Sequence, residues 1–355
     1  ASPAPGAREA PPRGAMSCCF PYPAGAARAS NALAGRRALV TGSSAGIGEA
    51  VALELHRLGA DVVVSGRDRG RCEKAVEGIR ASSTGSGTLE VLPMDLANFG
   101  SVRQAAAALQ GPLQLLVLNA GMVYYEGYAG PWLNDDGIDQ LFASNHLGHF
   151  LLTELLLPRL EMGSPSRILV TSSIGQYFAL ADELIPQKGV SLESLASGQR
   201  DELFRRSYGA SKLANVLHAY ELQRRLGSRG SGVAVVPLAP GLVATGIERR
   251  SVPRAGAVTP AVGAASTIHA ALLEPAPETG RWCIPYWMPP LSCLRLLPRS
   301  ALLKLQIKLE VNQKLTWGMR TARSCPLSYD EELARRLWDY SAEAVGLHEE
   351  PAASG

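Results

Sequence analysis

Short runs of β-branched and other apolar residues alternate with longer segments of helical periodicity between residues 37 and about 238. The runs contain few polar positions, which is typical of parallel strands that are covered on both faces. Strands are therefore predicted at residues 38–40, 61–65, 89–93, 113–118, 167–171 and 233–237.

The segments between these runs, such as residues 49–58 and 102–109, have the pattern of helices. Alternation of strands and helices at this spacing predicts βαβ units with right-handed crossovers. We therefore expect an α/β fold, with a Rossmann-like doubly wound parallel sheet of about seven strands and helices on both faces. Ligands of such sheets bind at the carboxyl ends of the strands, so chemistry is expected in the turns that follow them.

Composition restricts the classes of protein that fit. The chain has 355 residues, 46% of them hydrophobic and 19% charged, with a net charge of +3 that gives no reason to expect nucleic-acid binding. Six scattered cysteines do not form a disulfide scaffold. The leucine-rich segment at residues 150–160 is interrupted by polar residues and predicts a buried helix, not a membrane span. We expect no metal site, because His146 and His149 lack partners at ligand spacing, and we interpret them as packing or surface residues.

The two ends of the chain differ from its middle. Residues 1–34 are mostly Ala, Pro, Gly and Arg with a single acid, Glu9, a composition that cannot fold alone. A flexible tail and an organelle-targeting segment are both consistent with this basic character. We predict one domain over residues 35–347 and a second loose tail at residues 348–355.

A glycine-rich turn follows the first predicted strand and opens a helix. It reads Thr-Gly-Ser-Ser-Ala-Gly-Ile-Gly at residues 41–48. Gly42 permits a tight turn, Gly46 lets the backbone approach a pyrophosphate, and Gly48 allows close packing of helix on strand. The free N–H groups and the dipole of the helix N-terminus favour phosphate. The turn therefore predicts a dinucleotide site, although three residues separate its first two glycines, unlike G-x-G-x-x-G.

The second predicted strand ends at Ser-Gly-Arg-Asp, residues 65–68. A carboxylate directly at this strand end would bind a free ribose 2′-hydroxyl, and none occupies that place. Arg67 can instead pair with a 2′-phosphate, which favours NADP(H) over NAD(H) as the cofactor. Two alternatives stay open: Arg67 is a solvated surface residue, or the neighbouring Asp68 weakens the preference.

Tyr208 and Lys212 are four residues apart in a Tyr-Gly-Ala-Ser-Lys segment, so they share one face of a helix. A nearby ammonium stabilises a phenolate, and such a tyrosine can exchange a proton with an alcohol or a carbonyl. Because many Tyr/Lys pairs at this spacing are only surface neighbours, the pair gains its weight from the motifs around it.

Seven motifs occur along the chain in one order. They are the glycine turn at residues 41–48, Asp95-Leu96, Asn119-Ala120-Gly121, Asn145, Ser172-Ser173, Tyr208 with Lys212, and Pro240-Gly241. Together they resemble the short-chain dehydrogenase/reductase family. The segments at residues 145–153, 211–217 and 330–338 are similar to its retinol dehydrogenase-like branch. The resemblance covers roughly residues 35–285 and 327–347.

The resemblance implies a catalytic set of Asn145, Ser173, Tyr208 and Lys212. Tyr208 would donate the proton to a carbonyl during reduction, and Lys212 would bind the nicotinamide ribose and stabilise the phenolate. Ser173 would hold the substrate oxygen, and Asn145 would anchor a water that relays protons through Lys212. Structural alternatives stay open, in which Asn145 stitches a helix to a strand and Ser173 caps a turn.

The resemblance also implies the contacts of the cofactor. Asp95 would meet the adenine, Asn119 would lie beside the adenosine ribose, and Thr245 would contact the carboxamide. The expected cofactor-binding residues are Gly42, Ser43, Ser44, Gly46, Ile47, Gly48, Arg67, Asp95, Leu96, Asn119, Ala120, Gly121, Tyr208, Lys212, Pro240, Gly241 and Thr245. Tyr124 and Tyr125 either line the substrate site or pack on the core.

Three features depart from the family pattern. Residues 174–207 form a long connection before Tyr208, and the stretch from Gly241 to Thr259 is short, which predicts a more open pocket. Residues 286 to about 325 form an insertion before the last helix. Residues 281–325 carry eight basic side chains against one acid, Glu310, whereas residues 326–355 carry seven acids and two arginines.

The insertion is basic and amphipathic, and residues 303–311 alternate between apolar and polar, which fits a half-buried strand and also permits a helix. Three interpretations stay open: contact with an anionic membrane surface, docking to a partner protein, or extra structure packed on its own domain. The oligomeric state is also open. An organelle (mitochondrion or chloroplast) or a membrane-associated location is favoured over the free cytoplasm.

The main functional hypothesis is an NADP(H)-dependent oxidoreductase, an alcohol dehydrogenase or carbonyl reductase. It would interconvert a carbonyl and an alcohol on a lipophilic substrate by hydride transfer, with Tyr208 as acid and base. The alternative is a catalytically idle or accessory NADP(H)-binding subunit, recruited into a larger assembly through its extra C-terminal segment. Reduction of a conjugated C=C bond uses the same residues and stays open.

Overall fold

An eight-stranded sheet lies at the centre of the protein, with the strand order β3-β2-β1-β4-β5-β6-β7-β8. The computed structural model describes residues 31–125, 127–245, 257–273, 282–285, 319–322 and 324–347. The strands are β1 (Arg37–Thr41), β2 (Asp61–Gly66), β3 (Leu89–Pro93), β4 (Leu115–Leu118), β5 (Ser166–Thr171), β6 (Val233–Leu238), β7 (Trp282–Pro285) and β8 (Met319–Ala322). All six predicted runs form strands.

Strands β1 to β6 are parallel, and the strand order reverses between β1 and β4. The predicted doubly wound α/β fold is therefore confirmed. The strand count differs, because the continuous parallel body has six strands and not about seven. Strand β7 joins β6 through one register pair, Leu238 with Cys283, and β8 runs antiparallel to β7. These two short strands lie beyond the alternating pattern, so the sequence does not indicate them.

Helices of ten or more residues flank the sheet in the described part of the chain. They are α1 (Gly46–Arg57), α2 (Arg69–Ser82), α3 (Phe99–Ala108), α4 (Gly148–Met162), α5 (Ala210–Ser228), α6 (Pro260–Leu272) and α7 (Glu331–Ala344). The predicted leucine-rich helix is α4, which continues through Pro158. At the start of α7, the Asp330 side chain accepts a hydrogen bond from the Leu333 N–H and caps the helix.

Two apolar layers cover the sheet, one on each face. On β1, Leu39 belongs to the layer built with α3, α4, α5 and α7, whereas Ala38 and Val40 belong to the layer built with α1, α2 and α6. Successive side chains of a strand point to opposite faces, so a sheet buried on both faces requires nearly continuous apolar runs. This leaves the carboxyl edge of the strands for chemistry.

Two π-helical turns precede long helices, at Ala143–Leu147 before α4 and at Arg205–Gly209 before α5. Turns of this kind are frequent at functional sites. The first contains Asn145 and the second contains Tyr208, so each presents one residue of the expected catalytic set.

The ends and the insertion are described only in part. Residues 31–34 form a turn in which Leu33 is buried and its N–H donates to the Leu58 carbonyl at 2.8 Å. Residues 1–30, 286–318 and 348–355 lie outside the described residues, so the tails, the insertion and the location stay predictions. No helix within the described ranges is long and apolar enough to cross a membrane.

Candidate active site

The glycine-rich turn connects β1 to α1 with an unusual backbone. Gly42 and Gly46 both have φ of 65°, in the left-handed region that favours glycine. A Cβ on Gly42 would lie 2.8 Å from Ala120 Cα, so this turn meets the segment after β4 through backbone. No side chain caps the N-terminus of α1 at Ala45. The N-cap residue therefore does not compete with a bound pyrophosphate for the first N–H groups of the helix.

Asn119 holds this turn against the end of β4. Its Nδ2 donates to the Thr41 carbonyl at 3.0 Å, and its backbone N–H donates to the Thr41 hydroxyl at 2.9 Å. A Cβ on Gly48 would lie 2.3 Å from the Gly42 carbonyl oxygen and 2.6 Å from Asn119 Nδ2. Only glycine at position 48 therefore lets helix α1 pack this closely on the glycine turn and on Asn119.

The two serines of the glycine turn have different surroundings. Ser43 is fully buried, and its hydroxyl donates to the Val40 carbonyl at 2.7 Å and accepts from the Ser65 N–H at 2.9 Å. Ser44 is half-buried, and its Oγ lies 3.2 Å from the position of a Cβ on Gly66. Ser43 therefore joins β1 to β2. The Ser44 hydroxyl lies at the end of β2, where the choice between NAD(H) and NADP(H) is expected to be made.

Arg67 is exposed directly after β2. Burial raises the pKa of Tyr128, and the charge of Arg67 opposes that shift, so the guanidinium lies near this phenol. The neighbouring Asp68 accepts from the Arg71 N–H at 2.8 Å as the N-cap of α2. The Asp68 carboxylate is therefore engaged in helix capping. The Arg67 guanidinium is exposed at the end of β2 and does not take part in that cap.

Tyr208 and Lys212 lie against each other, as their spacing predicted. Lys212 Nζ lies 5.5 Å from the centroid of the Tyr208 ring and donates to the Thr171 carbonyl at 3.2 Å. Lys212 is 3% exposed, and burial lowers the pKa of its ammonium to about 8. The Tyr208 ring packs on Gly175, where a Cβ would lie 3.0 Å from Tyr208 Cε1. The pair thus combines a half-buried phenol with a buried cation.

Asn145 is fully buried beside this pair. A Cβ on Gly121 would lie 3.4 Å from Lys212 Nζ and 3.5 Å from Asn145 Oδ1. The Asn145 side chain accepts from the Met122 N–H at 2.8 Å and donates to the Met122 carbonyl at 3.0 Å and to the Ser211 hydroxyl at 3.1 Å. It therefore joins its π-helical turn to the loop after β4 and to helix α5, and these contacts hold it next to Lys212.

The structure distinguishes the two adjacent serines after β5. Ser172 is 1% exposed, and its hydroxyl donates to the Lys212 carbonyl at 2.7 Å. Ser173 is half-buried, and its hydroxyl accepts from the Gly175 N–H at 3.2 Å, which caps a 3₁₀ turn. Ser173 and the Tyr208 ring therefore both contact Gly175, whereas Ser172 contacts the backbone of the lysine.

Asp95 and Leu96 follow β3 at the carboxyl edge of the sheet. Asp95 Oδ1 accepts from the Ala97 N–H at 3.0 Å. Leu96 is buried, and a Cβ on Gly148 would lie 2.1 Å from its carbonyl oxygen. Helix α4 therefore approaches this motif as closely as backbone allows, which places the π-helical turn of Asn145 at the crevice.

The segment after β6 closes the other side of the glycine turn. Gly241 follows the buried Pro240 with φ of 84°. Thr245 Cγ2 lies 3.5 Å from the position of a Cβ on Gly46. Ile47 lies against helix α6, with its Cγ1 3.4 Å from the position of a Cβ on Gly263. These residues come together around one turn, although residues 246–256 lie outside the described residues.

Two buried residues without a predicted role in binding or catalysis connect these loops. Thr41 Oγ1 accepts from the Ala120 N–H at 3.0 Å and lies 2.9 Å from His149 Nε2. Burial lowers the pKa of His149 to about 3, so the ring is neutral, and its Nδ1 donates to the Asn145 carbonyl at 3.1 Å. His149 packs inside, as one interpretation expected. Its spacing of four residues from Asn145 was the signal for this link.

The glycine turn forms a crevice lined by backbone, and near it a phenol lies against a buried ammonium. This arrangement is typical of nicotinamide-dependent oxidoreductases, which transfer a hydride from a bound dinucleotide. The family model described as short chain dehydrogenase matches residues 36–182. Over 327 residues, the chain is 33% identical to retinol dehydrogenase 13 of Homo sapiens, with 91% of this chain and 88% of that protein covered. The chain belongs to the short-chain dehydrogenase/reductase family, in its retinol dehydrogenase-like branch.

Further comparisons agree with this assignment. Polyprenol dehydrogenase of Mus musculus is 36% identical over 319 residues, which cover 88% of this chain and 84% of that protein. The solved Pseudomonas aeruginosa RhlG/NADP active-site complex superposes with a TM-score of 0.55 and 25% identity, over 72% of this chain and 96% of that chain. The resemblance predicted from seven motifs is therefore confirmed at the level of the family and branch.

Proposed function

We propose that the protein is an NADP(H)-dependent oxidoreductase that interconverts a carbonyl and an alcohol on a lipophilic substrate, with Tyr208 as the acid and base. The position of Lys212 carries the proposal, because a fully buried ammonium lies beside the Tyr208 ring and next to Gly121 at the crevice. Burying a cation costs free energy, so a lysine retained here is expected to act on the phenol.

Tyr208 and the residues around it have separate roles in the transfer of the proton. Bound NADPH would supply the hydride to the substrate carbon. The Tyr208 hydroxyl donates its proton to the substrate oxygen as charge develops there, and the Lys212 ammonium stabilises the phenolate that remains. The Ser173 hydroxyl, beside the same Gly175, donates a hydrogen bond to the substrate oxygen. In alcohol oxidation the phenolate accepts the proton of the alcohol, so the proton moves in the opposite direction.

The phenolate must regain a proton after each reduction. Among the residues of the predicted catalytic set, we assign Lys212 as the donor of this proton, because its ammonium lies beside the Tyr208 ring. Its lowered pKa of about 8 lets it release and recover a proton near neutral pH. Asn145 lies beside the ammonium at Gly121. We assign it the anchoring of a water that connects Lys212 to solvent.

Aromatic and apolar side chains surround Tyr208. The Phe204 ring lies 5.3 Å from the Tyr208 ring, and the Phe178 ring lies 6.1 Å from Phe204, measured between centroids. Tyr208 also packs against a second cluster, Tyr124, Leu141, Leu192, Leu195 and Leu203. A catalytic phenol in these surroundings suits an apolar substrate. Relatives whose names refer to retinol and polyprenol agree with this substrate class.

Tyr124 belongs to the wall of this region. It is 8% exposed, and its hydroxyl donates to Asp139 Oδ2 at 2.9 Å. Its ring lies 4.3 Å from the Trp132 ring and 5.0 Å from the Tyr128 ring. Tyr125 is half-buried, 5.7 Å from Tyr128. We propose that the more exposed rings of this group, and not Tyr124, meet the substrate.

The preference for NADP(H) depends on Arg67. Replacing Arg67 by Ala is expected to weaken NADPH binding about 10- to 100-fold, because charge-assisted hydrogen bonds to the 2′-phosphate are lost. NADH binding is expected to stay within about twofold, since it has no phosphate at this position. Arg69→Ala is the matched control, because Arg69 is an exposed arginine two residues away that pairs with Glu73 at 3.6 Å. Equal NADPH affinity in Arg67→Ala and the wild type would show that Arg67 is only a surface residue.

Turnover by purified protein tests the proposed function. With NADPH and a panel of retinoid, steroid, long-chain and simple aromatic carbonyls, we expect cofactor oxidation and an alcohol product for the apolar members. Product analysis separates carbonyl reduction from reduction of a conjugated C=C bond. The accessory-subunit alternative predicts NADPH binding with no turnover across the whole panel, and that result would overturn the proposal.

A further inference from the structure

A path of buried hydrogen bonds connects the C-terminal helix α7 to the active site. The Ser341 hydroxyl, fully buried on α7, lies 3.0 Å from His146 Nε2, and His146 Nδ1 lies 3.3 Å from Asn215 Oδ1. Asn215 Nδ2 donates to the Thr171 carbonyl at 3.3 Å. The same carbonyl accepts from the Lys212 ammonium at 3.2 Å. These five residues form one connected path, which we call the α7 chain.

The directions of the hydrogen bonds in the α7 chain follow from the neighbouring groups. Because Asn215 Nδ2 donates to a carbonyl, Asn215 Oδ1 accepts from His146 Nδ1. Burial lowers the pKa of His146 to about 4, so the ring is neutral and its Nε2 accepts from the Ser341 hydroxyl. The same hydroxyl donates to the Leu337 carbonyl at 2.7 Å, so its single proton is shared between this carbonyl and His146 Nε2. A change at Ser341 therefore alters the bonding of His146, the residue next to Asn145.

The α7 chain ends, opposite Ser341, at the Lys212 ammonium, a charge that has little access to water. Lys212 is buried, so the position of its ammonium depends on acceptors that the protein supplies. The Thr171 carbonyl has two lone pairs, and Lys212 and Asn215 each use this oxygen. If Asn215 loses its place, the carbonyl and the ammonium are free to shift relative to the Tyr208 ring.

A second contact joins the same C-terminal segment to the catalytic turns. The Cys325 N–H donates to Gln176 Oε1 at 3.3 Å, and the Gln176 N–H donates to the Ser173 carbonyl at 3.2 Å. The Trp338 ring of α7 packs 4.9 Å from the Phe150 ring of α4. Residues 324–347 therefore contact the turn of Ser173 through Gln176, and helix α4, which follows the turn of Asn145, through Phe150.

We propose that helix α7 positions the catalytic lysine through the α7 chain, with Ser341, His146 and Asn215 as positioning residues. They touch neither substrate nor cofactor. The inference rests on the proposed function, because the step it serves is the proton transfer of Tyr208. A protein with a disturbed α7 chain keeps the glycine turn and most of its affinity for the dinucleotide, and its turnover rate falls.

Ser341→Ala tests the proposal with a small change. We expect kcat to fall about 5- to 20-fold and the KM for NADPH to change less than kcat, because the positioning of a proton-transfer group is lost and, among the predicted cofactor contacts, only that of Lys212 is affected. Ser166→Ala is the matched control, because Ser166 is 2% exposed and donates to the Leu160 carbonyl at 2.7 Å at the opposite end of β5. We expect its kcat to equal that of the wild type.

A double-mutant cycle distinguishes a connected chain from general loss of packing. His146→Asn keeps a donor near the Nδ1 position but no longer reaches Ser341, so its loss of kcat is expected to match that of Ser341→Ala. The double variant is expected to lose no more than the larger single variant, because both changes break the same link. If Ser341→Ala does not fold, His146→Asn carries the same kinetic comparison against Ser166→Ala.

A second readout does not depend on turnover. The chain contains six lysines, so protein made with ¹³C-labelled lysine gives few signals, and Lys212→Met assigns the signal of interest. In the wild type this signal is expected to titrate near pH 8. In Ser341→Ala we expect the midpoint to rise by at least about half a pH unit, because water reaches the ammonium. Ser166→Ala is expected to leave it unchanged.

The outcomes separate the positioning role from the proposed function. An unchanged Lys212 midpoint in Ser341→Ala, a kcat equal to that of Ser166→Ala, or additive losses in the double variant would overturn the positioning role. If the wild type forms no alcohol from any carbonyl, the proposed function fails, and the lysine titration alone then decides whether α7 positions Lys212.

Discussion

Replacing Tyr208 by Phe is expected to lower kcat for carbonyl reduction about 10²- to 10⁴-fold, the usual contribution of a positioned acid or base. The ring remains packed on Gly175, where a Cβ would lie 3.0 Å from it, so the fold around the site should persist. The affinity for NADPH is expected to fall by no more than about tenfold, because only one of the predicted cofactor contacts, the phenol hydroxyl, is removed and the glycine turn is kept. Steady-state kinetics and fluorescence titration with NADPH measure the two quantities separately.

Tyr340→Phe is the control for this substitution. It also removes one buried phenol hydroxyl, and that hydroxyl has no hydrogen-bond partner among the described residues. We expect wild-type kcat for Tyr340→Phe. A Tyr208→Phe variant with more than about a tenth of the wild-type kcat would contradict the assignment of Tyr208 as the acid, because the expected loss is far larger.

Gly48→Ala is expected to abolish measurable dinucleotide binding, with an increase in Kd of more than about 100-fold. The added Cβ would lie 2.3 Å from the Gly42 carbonyl oxygen and 2.6 Å from Asn119 Nδ2. Because the first of these atoms belongs to the backbone, the turn itself must move. The displaced turn no longer presents the N–H groups of α1 to a pyrophosphate. Calorimetry with NADPH and a thermal melt measure binding and folding.

Gly78→Ala is the matched control for this change. Gly78 lies inside helix α2, and a Cβ there meets no atom within 4 Å. Alanine is therefore expected to leave NADPH binding unchanged and to stabilise the fold by about 0.5–1 kcal/mol, through the smaller entropy loss in a helix. If Gly48→Ala bound NADPH like Gly78→Ala, the turn would not be the dinucleotide site.

The parallel body of the sheet was predictable because burial on both faces leaves a direct mark on the sequence. Each run that was predicted as a strand is a strand, and β4 begins only two residues later than predicted, at Leu115. The short strands β7 and β8 were missed. They pair with each other antiparallel and join β6 at one position, so neither a helix between strands nor a long apolar run indicates them.

The candidate site was predictable where its residues belong to linear motifs. The pairing of Tyr208 with Lys212 follows from helical spacing, and the left-handed backbone of Gly42 follows from the tight turn that joins β1 to α1. The surroundings of adjacent residues were not predictable in this way. Ser172 and Ser173 have the same side chain, and only their position relative to Gly175 and the α5 backbone separates them.

The α7 chain was beyond the reach of sequence patterns. The link between His146 and Ser341 joins positions 195 residues apart, and no local spacing indicates it. Hydrogen bonds of this kind depend on how α4, α5 and α7 pack, which is decided by the apolar contacts around Phe150 and Trp338. His146 and His149, which the sequence indicated to be packing or surface residues, therefore have specific polar partners in the fold.

Isotope transfer tests the central claim most directly. The purified protein is incubated with NADPH that carries deuterium at C4, in separate samples for each of the two C4 positions, and with a long-chain aldehyde. The account predicts that one of the two samples yields an alcohol with a single deuterium on the carbinol carbon. It also predicts that Tyr208→Phe yields almost none while it still binds NADPH. Saturated cofactor binding with no deuterated alcohol from either sample would contradict the account.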